Sequence, residues 1–278
     1  MALVTMKKLL DNAMEIGGAV GAFSVGNMEM IKGAVRAAEE MRTDIILQIA
    51  EVMLKYSPLD LMGPMMIQAA KDSKVNIAVH LNHGHSMRTL KKALDIGFTS
   101  VMYDGSTMPF RGNIQRTKEV VSLASGYGAT VEAELGLVGG SEDGSEDNGI
   151  KCTDPMDAMQ FIKRTGVDAL AVAIGNVHGD YQEAPNLEFG VLSEICEKTG
   201  APLVLHGGSG ISDEDFQEAI RRGIRKVNIA TASYKALTDK VAEYMESRGK
   251  HNYFGLNRAM EQGVYENVKR HIRVFNGA

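Results

Sequence analysis

Ile77-Ala78-Val79-His80-Leu81-Asn82-His83-Gly84-His85-Ser86 is the stretch on which the reading of this chain turns. A short apolar run, rich in β-branched residues, stops abruptly in imidazoles, an amide and a glycine. A buried parallel strand delivers polar side chains to the mouth of a sheet in this way. Two later runs stop likewise. Ala169-Leu170-Ala171-Val172-Ala173-Ile174 leads into Gly175-Asn176-Val177-His178-Gly179, and Pro202-Leu203-Val204-Leu205 leads into His206-Gly207-Gly208-Ser209-Gly210. One histidine after an apolar run is ordinarily a packed, hydrogen-bonded residue. The same placement in three strand-loop units argues for a shared purpose. If the three ends converge, they form an open three-imidazole site suited to a catalytic zinc ion.

Working outward, strand-like runs lie near 19–23, 44–50, 77–81, 99–103, 130–135, 168–174, 202–206 and 226–230. Helical patterns fill the gaps at 29–41, 58–71, 87–96, 113–127, 155–165, 187–198 and 213–222, with a helical tail from about 232 to the end, broken near Gly249. Eight β-α units in this length predict an α/β fold: a closed, eight-stranded parallel (β/α)8 TIM barrel with additional C-terminal helices. A doubly wound open sheet is the alternative. No Gly-, Ser- or Pro-rich linker divides the chain, so residues 1–278 are expected to form one domain.

Composition narrows the function. Apolar residues make up 44% of the chain, enough for a substantial core, and the net charge of −5 with no long basic run argues against nucleic acid. An anionic small molecule stays open, because local backbone amides bind phosphate whatever the net charge. Cys152 and Cys196 form no CxxC pair, which suits free thiols in a reducing compartment. The opening residues carry no apolar signal core, and no run is long enough to span a membrane. A cytoplasmic protein is the expectation.

A barrel places chemistry at the carboxyl ends of its strands. In chain order those ends carry Ser24, Gln48, Asn82 with His83, Asp104, Glu132 with Glu134, Asn176 with His178, His206 with Ser209, and Asn228 with Thr231. Ser24, Gln48 and Asp104 are expected to contact substrate, although Asp104-Gly105-Ser106 also fits a plain turn. Glu132 and Glu134 share one strand face by period two, and at least one of them suits the neutralising of a nearby cation. The glycine-rich, acidic loop from Gly139 to Gly149 reads as a solvated surface loop or as a lid that brings one carboxylate over the site. His206-Gly207-Gly208-Ser209-Gly210 offers open backbone amides and a hydroxyl. Asn228-Ile229-Ala230-Thr231-Ala232-Ser233 runs from the eighth strand into a helix whose first amides face any anion there. Loops after strands seven and eight are where barrels commonly hold phosphate. Gly179 offers another amide.

Together these motifs resemble the class II, zinc-dependent ketose-bisphosphate aldolases. The likeness runs from Gly21-Ala22-Phe23-Ser24-Val25 to Val274-Phe275-Asn276-Gly277. Its most specific pieces are Val131-Glu132-Ala133-Glu134-Leu135-Gly136, Ala173 to Gly179, Leu205 to Ile211, and Lys226-Val227-Asn228-Ile229-Ala230-Thr231. The resemblance implies that His83, His178 and His206 hold Zn2+, with Glu134 at an alternative metal position. It implies that Gly179, Gly207, Gly208, Ser209, Asn228, Ile229, Ala230 and Thr231 hold the phosphate of a dihydroxyacetone phosphate half. Backbone carbonyls around Val177, Gly179 and Gly207 are implied to bind a monovalent cation, Na+ or K+. Glu142 matches a lid carboxylate that moves a proton at C3, and Asn228 donates toward the enediolate. The implied partner is a phosphorylated ketose, and the implied assembly is a homodimer or homotetramer.

Two positions depart from the family pattern. Asn82 stands where relatives carry the aspartate that exchanges the C4 hydroxyl proton, and Ser24 replaces an asparagine. A neutral amide can hydrogen-bond that oxygen but cannot carry the proton, which costs roughly 10²- to 10⁴-fold in rate. Three readings follow: a deliberately disabled variant, an aldolase that recruits His85 or Glu142 as base, or a zinc-containing sugar-phosphate binder with little turnover. The distal-end residues Gln48, Glu51, Met53 and Arg111 do not name the aldehyde.

Overall fold

The computed structural model describes residues 2–140, 149–179, 185–247, 249 and 251–277. Among them, eight parallel strands pair in chain order: β1 (Val20–Ser24), β2 (Ile45–Ala50), β3 (Ile77–Gly84), β4 (Ser100–Tyr103), β5 (Thr130–Leu135), β6 (Ala169–Val172), β7 (Leu203–Leu205) and β8 (Ile224–Ile229). Backbone pairing of β8 with β1, Ala22 opposite Asn228, closes the barrel and removes the open-sheet alternative. The outer ring is α2 (Met28–Met41), α3 (Leu59–Asp72), α4 (Met87–Ile96), α5 (Phe110–Ser125), α6 (Pro155–Thr165), α7 (Phe189–Thr199) and α8 (Asp213–Arg221). The tail forms α9 (Thr231–Glu246) and α10 (Tyr253–Phe275), separated around the expected break.

Alternation along the strands sorts side chains between two cores. In β3, Ile77, Val79 and Leu81 face out and pack beneath the helices, whereas Ala78 faces into the barrel. Small inward residues such as Ala22, Ala78, Ala169 and Ala171 leave space at the amino end of the barrel. Helix α1 (Met6–Ile16) fills it with Met6, Leu9, Leu10 and Ala13, which join those alanines in one apolar cluster. The expected strand-helix alternation begins only after this segment, although helix signals are present in it. Apolar residues recur at helical spacing, Thr5 caps the N–H of Lys8, and Gly17 ends the helix in the left-handed region at φ 67°.

Strand β6 stops at Val172, two residues before the expected end. The N–H of Ala173 donates to Thr153 Oγ1 at 2.9 Å and that of Ile174 to Asn176 Oδ1 at 2.8 Å. Side chains thus replace the ladder partners, and the chain is released toward His178. Among the described residues no helix is long and apolar enough to cross a membrane.

Candidate active site

Strict alternation in β3 would turn Asn82 into the barrel and His83 outward with Leu81. The backbone departs from that rule at this point. His83 adopts φ 43°, and the register of β3 on β4 shifts between Leu81 and Gly84. A positive φ in a residue with a side chain costs on the order of 1–3 kcal/mol. The result is that two consecutive residues face the barrel mouth. Asn82 Oδ1 accepts a hydrogen bond from Asn228 Nδ2 at 3.2 Å, and the His83 ring meets two other imidazoles.

Those imidazoles are His178 and His206. Ring centroids lie 4.9 Å apart for His83–His178, 4.7 Å for His83–His206 and 5.7 Å for His178–His206, all edge to face. One nitrogen from each ring lies within 4.8 Å of the others. Each histidine is held from outside the cluster. His83 Nδ1 is 2.7 Å from Asp104 Oδ2, and Ser106 donates its N–H and hydroxyl to the other oxygen of Asp104. His206 Nε2 is 2.8 Å from Glu132 Oε1. The backbone N–H of His178 donates to Gly139 O at 2.7 Å, which ties the loop after β5 to the loop after β6.

A cation fits this cluster. His178 Nε2 is buried without a hydrogen-bond partner among the described residues, and His206 Nδ1 lies 3.2 Å from Glu134 Oε2 without the alignment of a hydrogen bond. Leaving such atoms unsatisfied costs roughly 1–3 kcal/mol each. Three imidazole nitrogens, two of them on rings backed by carboxylates, make a donor set that could hold a metal ion. His83, Asp104 and Glu134 form a second possible ligand set beside it.

The electrostatics have identifiable causes. Burial pushes the Asp104 carboxyl up, but the bond to His83 and the contacts from Ser106 outweigh it and hold the group well below the usual carboxylate range. Glu132 behaves likewise: burial raises it, and the Lys226 ammonium, with the His206 hydrogen bond, carries it well below. Glu134 is raised by burial and by the charge of Asp104. His178 is lowered by burial and by the neighbouring imidazoles, which favours a neutral ring that can donate its lone pair. His206 is depressed by burial but raised overall by Glu132 and Glu134.

Below the histidines runs a buried polar chain that sequence reading did not find. Lys226 is fully buried, with Nζ 2.9 Å from Glu132 Oε2, and it donates to Asn228 Oδ1 at 2.6 Å. Glu132 is therefore the carboxylate that neutralises a cation. The cue was a lysine two residues before Asn228 in an apolar strand, hence on the same inward face.

The loops after β6, β7 and β8 enclose a small pocket beside the rings, lined by His178, Gly179, Gly207, Gly208, Ser209, Asn228, Ala230 and Thr231. Gly207 has φ 63°, and a Cβ there would fall 2.1 Å from Val177 O, so only glycine lets these loops meet. Ser209 Oγ accepts from the Ala232 N–H at 2.9 Å and fastens the loop to the start of α9. The Gly208 N–H donates to Asn228 O at 3.1 Å, so this amide braces the pocket instead of facing it. Ile229 ends β8 on the outward face, and its own side chain belongs to the outer core.

The other expected residues are placed as follows. Ser24 and Gln48 are buried side by side, Gln48 Nε2 donating to Ser24 Oγ at 3.2 Å. Glu51 is taken up by the start of α4, accepting from the N–H groups of His85 and Ser86 and from Thr89 Oγ1. His85 is exposed, its Nδ1 3.1 Å from Asp104 O. Glu142 lies outside the described residues. A cavity of about 820 Å³ lies at the opposite end of the barrel between α1, α8 and the end of α10, and no histidine lines it.

Comparison with known proteins agrees with this geometry. The family model for "Fructose-bisphosphate aldolase class-II" matches residues 4–278. The chain belongs to the class II fructose-bisphosphate aldolase family. A fructose-bisphosphate aldolase of Staphylococcus aureus strain Mu50 is 41% identical over 99% of this chain and 98% of its own length. A probable fructose-bisphosphate aldolase of Bacillus subtilis strain 168 is 39% identical over 100% of this chain and 99% of its own. Among solved structures, the YdjI aldolase of Escherichia coli K12 superposes with a TM-score of 0.88 at 34% identity, covering 98% of this chain and 97% of that one. Class II aldolases depend on a metal ion, and the three-histidine cluster is where this member could hold one.

Proposed function

We propose that this aldolase binds zinc through His83, His178 and His206 and cleaves a phosphorylated ketose to dihydroxyacetone phosphate and an aldehyde. The observation that carries the reading is the convergence of three imidazoles from separate strand ends beside a glycine-lined pocket. A zinc ion bound there supplies Lewis-acid stabilisation of the charge that develops on the ketose oxygens. The rest falls to the chain itself. Gly179, Gly207, Ser209 and the backbone from Asn228 through Ile229 and Ala230 to Thr231 grip the phosphate, and that remote binding positions the reacting carbons. Gly208 supports them through its bond to the Asn228 carbonyl. Ser24 closes β1 and Gln48 lies within β2 beside it, and both are assigned to the sugar. Asp104 acts on substrate through His83, whose ring it orients. Asn228 donates Nδ2 toward the developing oxyanion, and Glu134 offers a second carboxylate seat for the cation. The reading gives the C3 proton to Glu142 and a monovalent cation, Na+ or K+, to the carbonyls around Val177, Gly179 and Gly207. A cytoplasmic homodimer or homotetramer completes it.

Asn82 favours slow turnover, because its amide holds the C4 oxygen without taking its proton. The same residue supports a second reading, a zinc-containing sugar-phosphate binder without cleavage. The test is release of dihydroxyacetone phosphate from a panel of ketose 1-phosphates and 1,6-bisphosphates. Release is expected to vanish on chelation and return with zinc. No release from any of them, even by Asn82→Asp, rejects the lyase. Exchange of the C3 proton of dihydroxyacetone phosphate with deuterated water counts against the binder.

A further inference from the structure

We infer that Lys226 is a positioning residue that determines which nitrogen His206 offers to the cation and which end of the Asn228 amide faces substrate. The contacts that support this start at Lys226 and run outward through its two partners. It is fully buried inside the barrel, one layer below the site. Its Nζ lies 2.9 Å from Glu132 Oε2 and donates to Asn228 Oδ1 at 2.6 Å. Glu132 Oε1 is 2.8 Å from His206 Nε2. Asn228 Nδ2 donates to Asn82 Oδ1 at 3.2 Å.

The direction of each bond follows from donor chemistry. An ammonium only donates, so the Asn228 amide must turn its oxygen down to Lys226. Its NH2 is then forced up toward Asn82 and the pocket, and the usual ambiguity between the two ends of an amide is settled. The same ammonium holds one oxygen of Glu132, which aims the other at His206. A carboxylate only accepts, so Nε2 is the protonated nitrogen of His206. Nδ1, 3.2 Å from Glu134 Oε2, then keeps its lone pair and is the nitrogen left for a cation shared with His83 and His178. One buried charge thereby aligns the metal half and the hydrogen-bonding half of the site.

The alternative is a buried ion pair that merely stabilises the barrel. The two differ in what moves on substitution. Lys226 is not among the residues lining the glycine pocket, so it has no direct hold on the phosphate. Its loss should strike metal affinity and kcat while leaving KM unchanged. Outer partners of metal ligands typically control roughly 10- to 100-fold in affinity or activity.

The experiment uses Lys226→Met and, because a lone Glu132 left buried could unfold the chain, the charge-balanced pair Lys226→Met with Glu132→Gln. Zinc dissociation constants are measured by competition with a chelator of known affinity. At saturating zinc, kcat and KM are measured for exchange of the C3 proton of dihydroxyacetone phosphate with deuterated water. Lys226→Met is expected to weaken zinc roughly 10- to 100-fold and lower kcat at unchanged KM. In the paired variant the amide carbonyl introduced at position 132 still accepts from His206 Nε2, so zinc affinity recovers. Its kcat stays low, because Asn228 has lost its ammonium. Wild-type zinc affinity and kcat in both variants overturn the inference, as does a parallel change of kcat and KM that tracks the melting temperature. The inference rests on the proposed zinc site, but it fails separately from the lyase reading. Zinc binding that depends on Lys226, in a protein that cleaves no phosphorylated ketose, removes the lyase and upholds the inference. A wild-type chain that binds no zinc overturns both.

Discussion

Replacing Asn82 by aspartate should raise carbon–carbon cleavage by about 10²-fold or more. The substitution changes one NH2 to an oxygen, with almost no change in volume, at a side chain that is fully buried. Its present acceptor contact survives: Asn228 Nδ2 donates to position 82 at 3.2 Å and would donate to the carboxylate equally well. Lys226, which donates to the far end of the Asn228 amide, places a positive charge two hydrogen bonds away and offsets part of the cost of burying the new negative one. What the aspartate adds is a seat for the C4 hydroxyl proton. A positioned acid–base group is worth roughly 10²- to 10⁴-fold, or about 3–5 kcal/mol of barrier at roughly 1.36 kcal/mol per decade. The assay compares two half-reactions. Release of dihydroxyacetone phosphate from the ketose requires the C4 proton to move and should accelerate. Exchange of the C3 proton of dihydroxyacetone phosphate involves no C4 oxygen and should stay constant. Unchanged cleavage, with zinc content and exchange intact, would refute the assignment of that proton to position 82.

Two further outcomes follow from particular contacts. Gly207→Ala and Gly200→Ala place a methyl group at nearly the same positive φ, 63° and 58°, but only the first meets backbone, 2.1 Å from Val177 O. Urea unfolding should show Gly207→Ala to be the more destabilising by about 1–3 kcal/mol, with a raised KM for the phosphorylated substrate; equal losses in the two variants refute the clash. His271, packed among Phe23, Phe216 and Phe275, has Nδ1 2.9 Å from Asn267 O and Nε2 facing Arg270, an arrangement that suits a neutral ring. Burial, with Arg270 beside it, lowers its pKa from 6.5 to about 4 despite the Asn267 carbonyl and Asp213. Between those values the unfolded chain takes up a proton that the folded chain refuses. Stability is therefore fully present above pH 6.5 and falls as pH drops toward 4, by up to about 3 kcal/mol for this group. His271→Phe should flatten the pH dependence of the urea midpoint by that amount, and an unchanged slope would exclude the assignment.

The barrel was legible because period-two burial and the spacing of apolar runs are local properties of the chain. The three histidine-glycine strand ends were legible for the same reason, and so was the resemblance built on them. Helix α1 was missed although its cap, stripe and terminating glycine are all present, because an eight-fold strand-helix count does not require it. The resemblance places Gly208 among the phosphate residues, but local sequence leaves the direction of its amide open, because an open loop looks alike whichever way its N–H groups point. Only the packing of β8 against that loop turns this one to the Asn228 carbonyl.

Local sequence therefore determined the parallel strands, their order, and the side chains that each strand end carries. Tertiary structure alone decided two things. The backbone at His83 departs from alternation, by a positive φ and a register shift, and so brings Asn82 and His83 to the same face. Barrel closure sets Lys226 of β8 against Glu132 of β5, on strands that are not neighbours in the sheet. The physical reason is one of range. Hydrophobic alternation acts between residues two apart, whereas an ion pair across a barrel depends on the curvature and stagger of every strand between them.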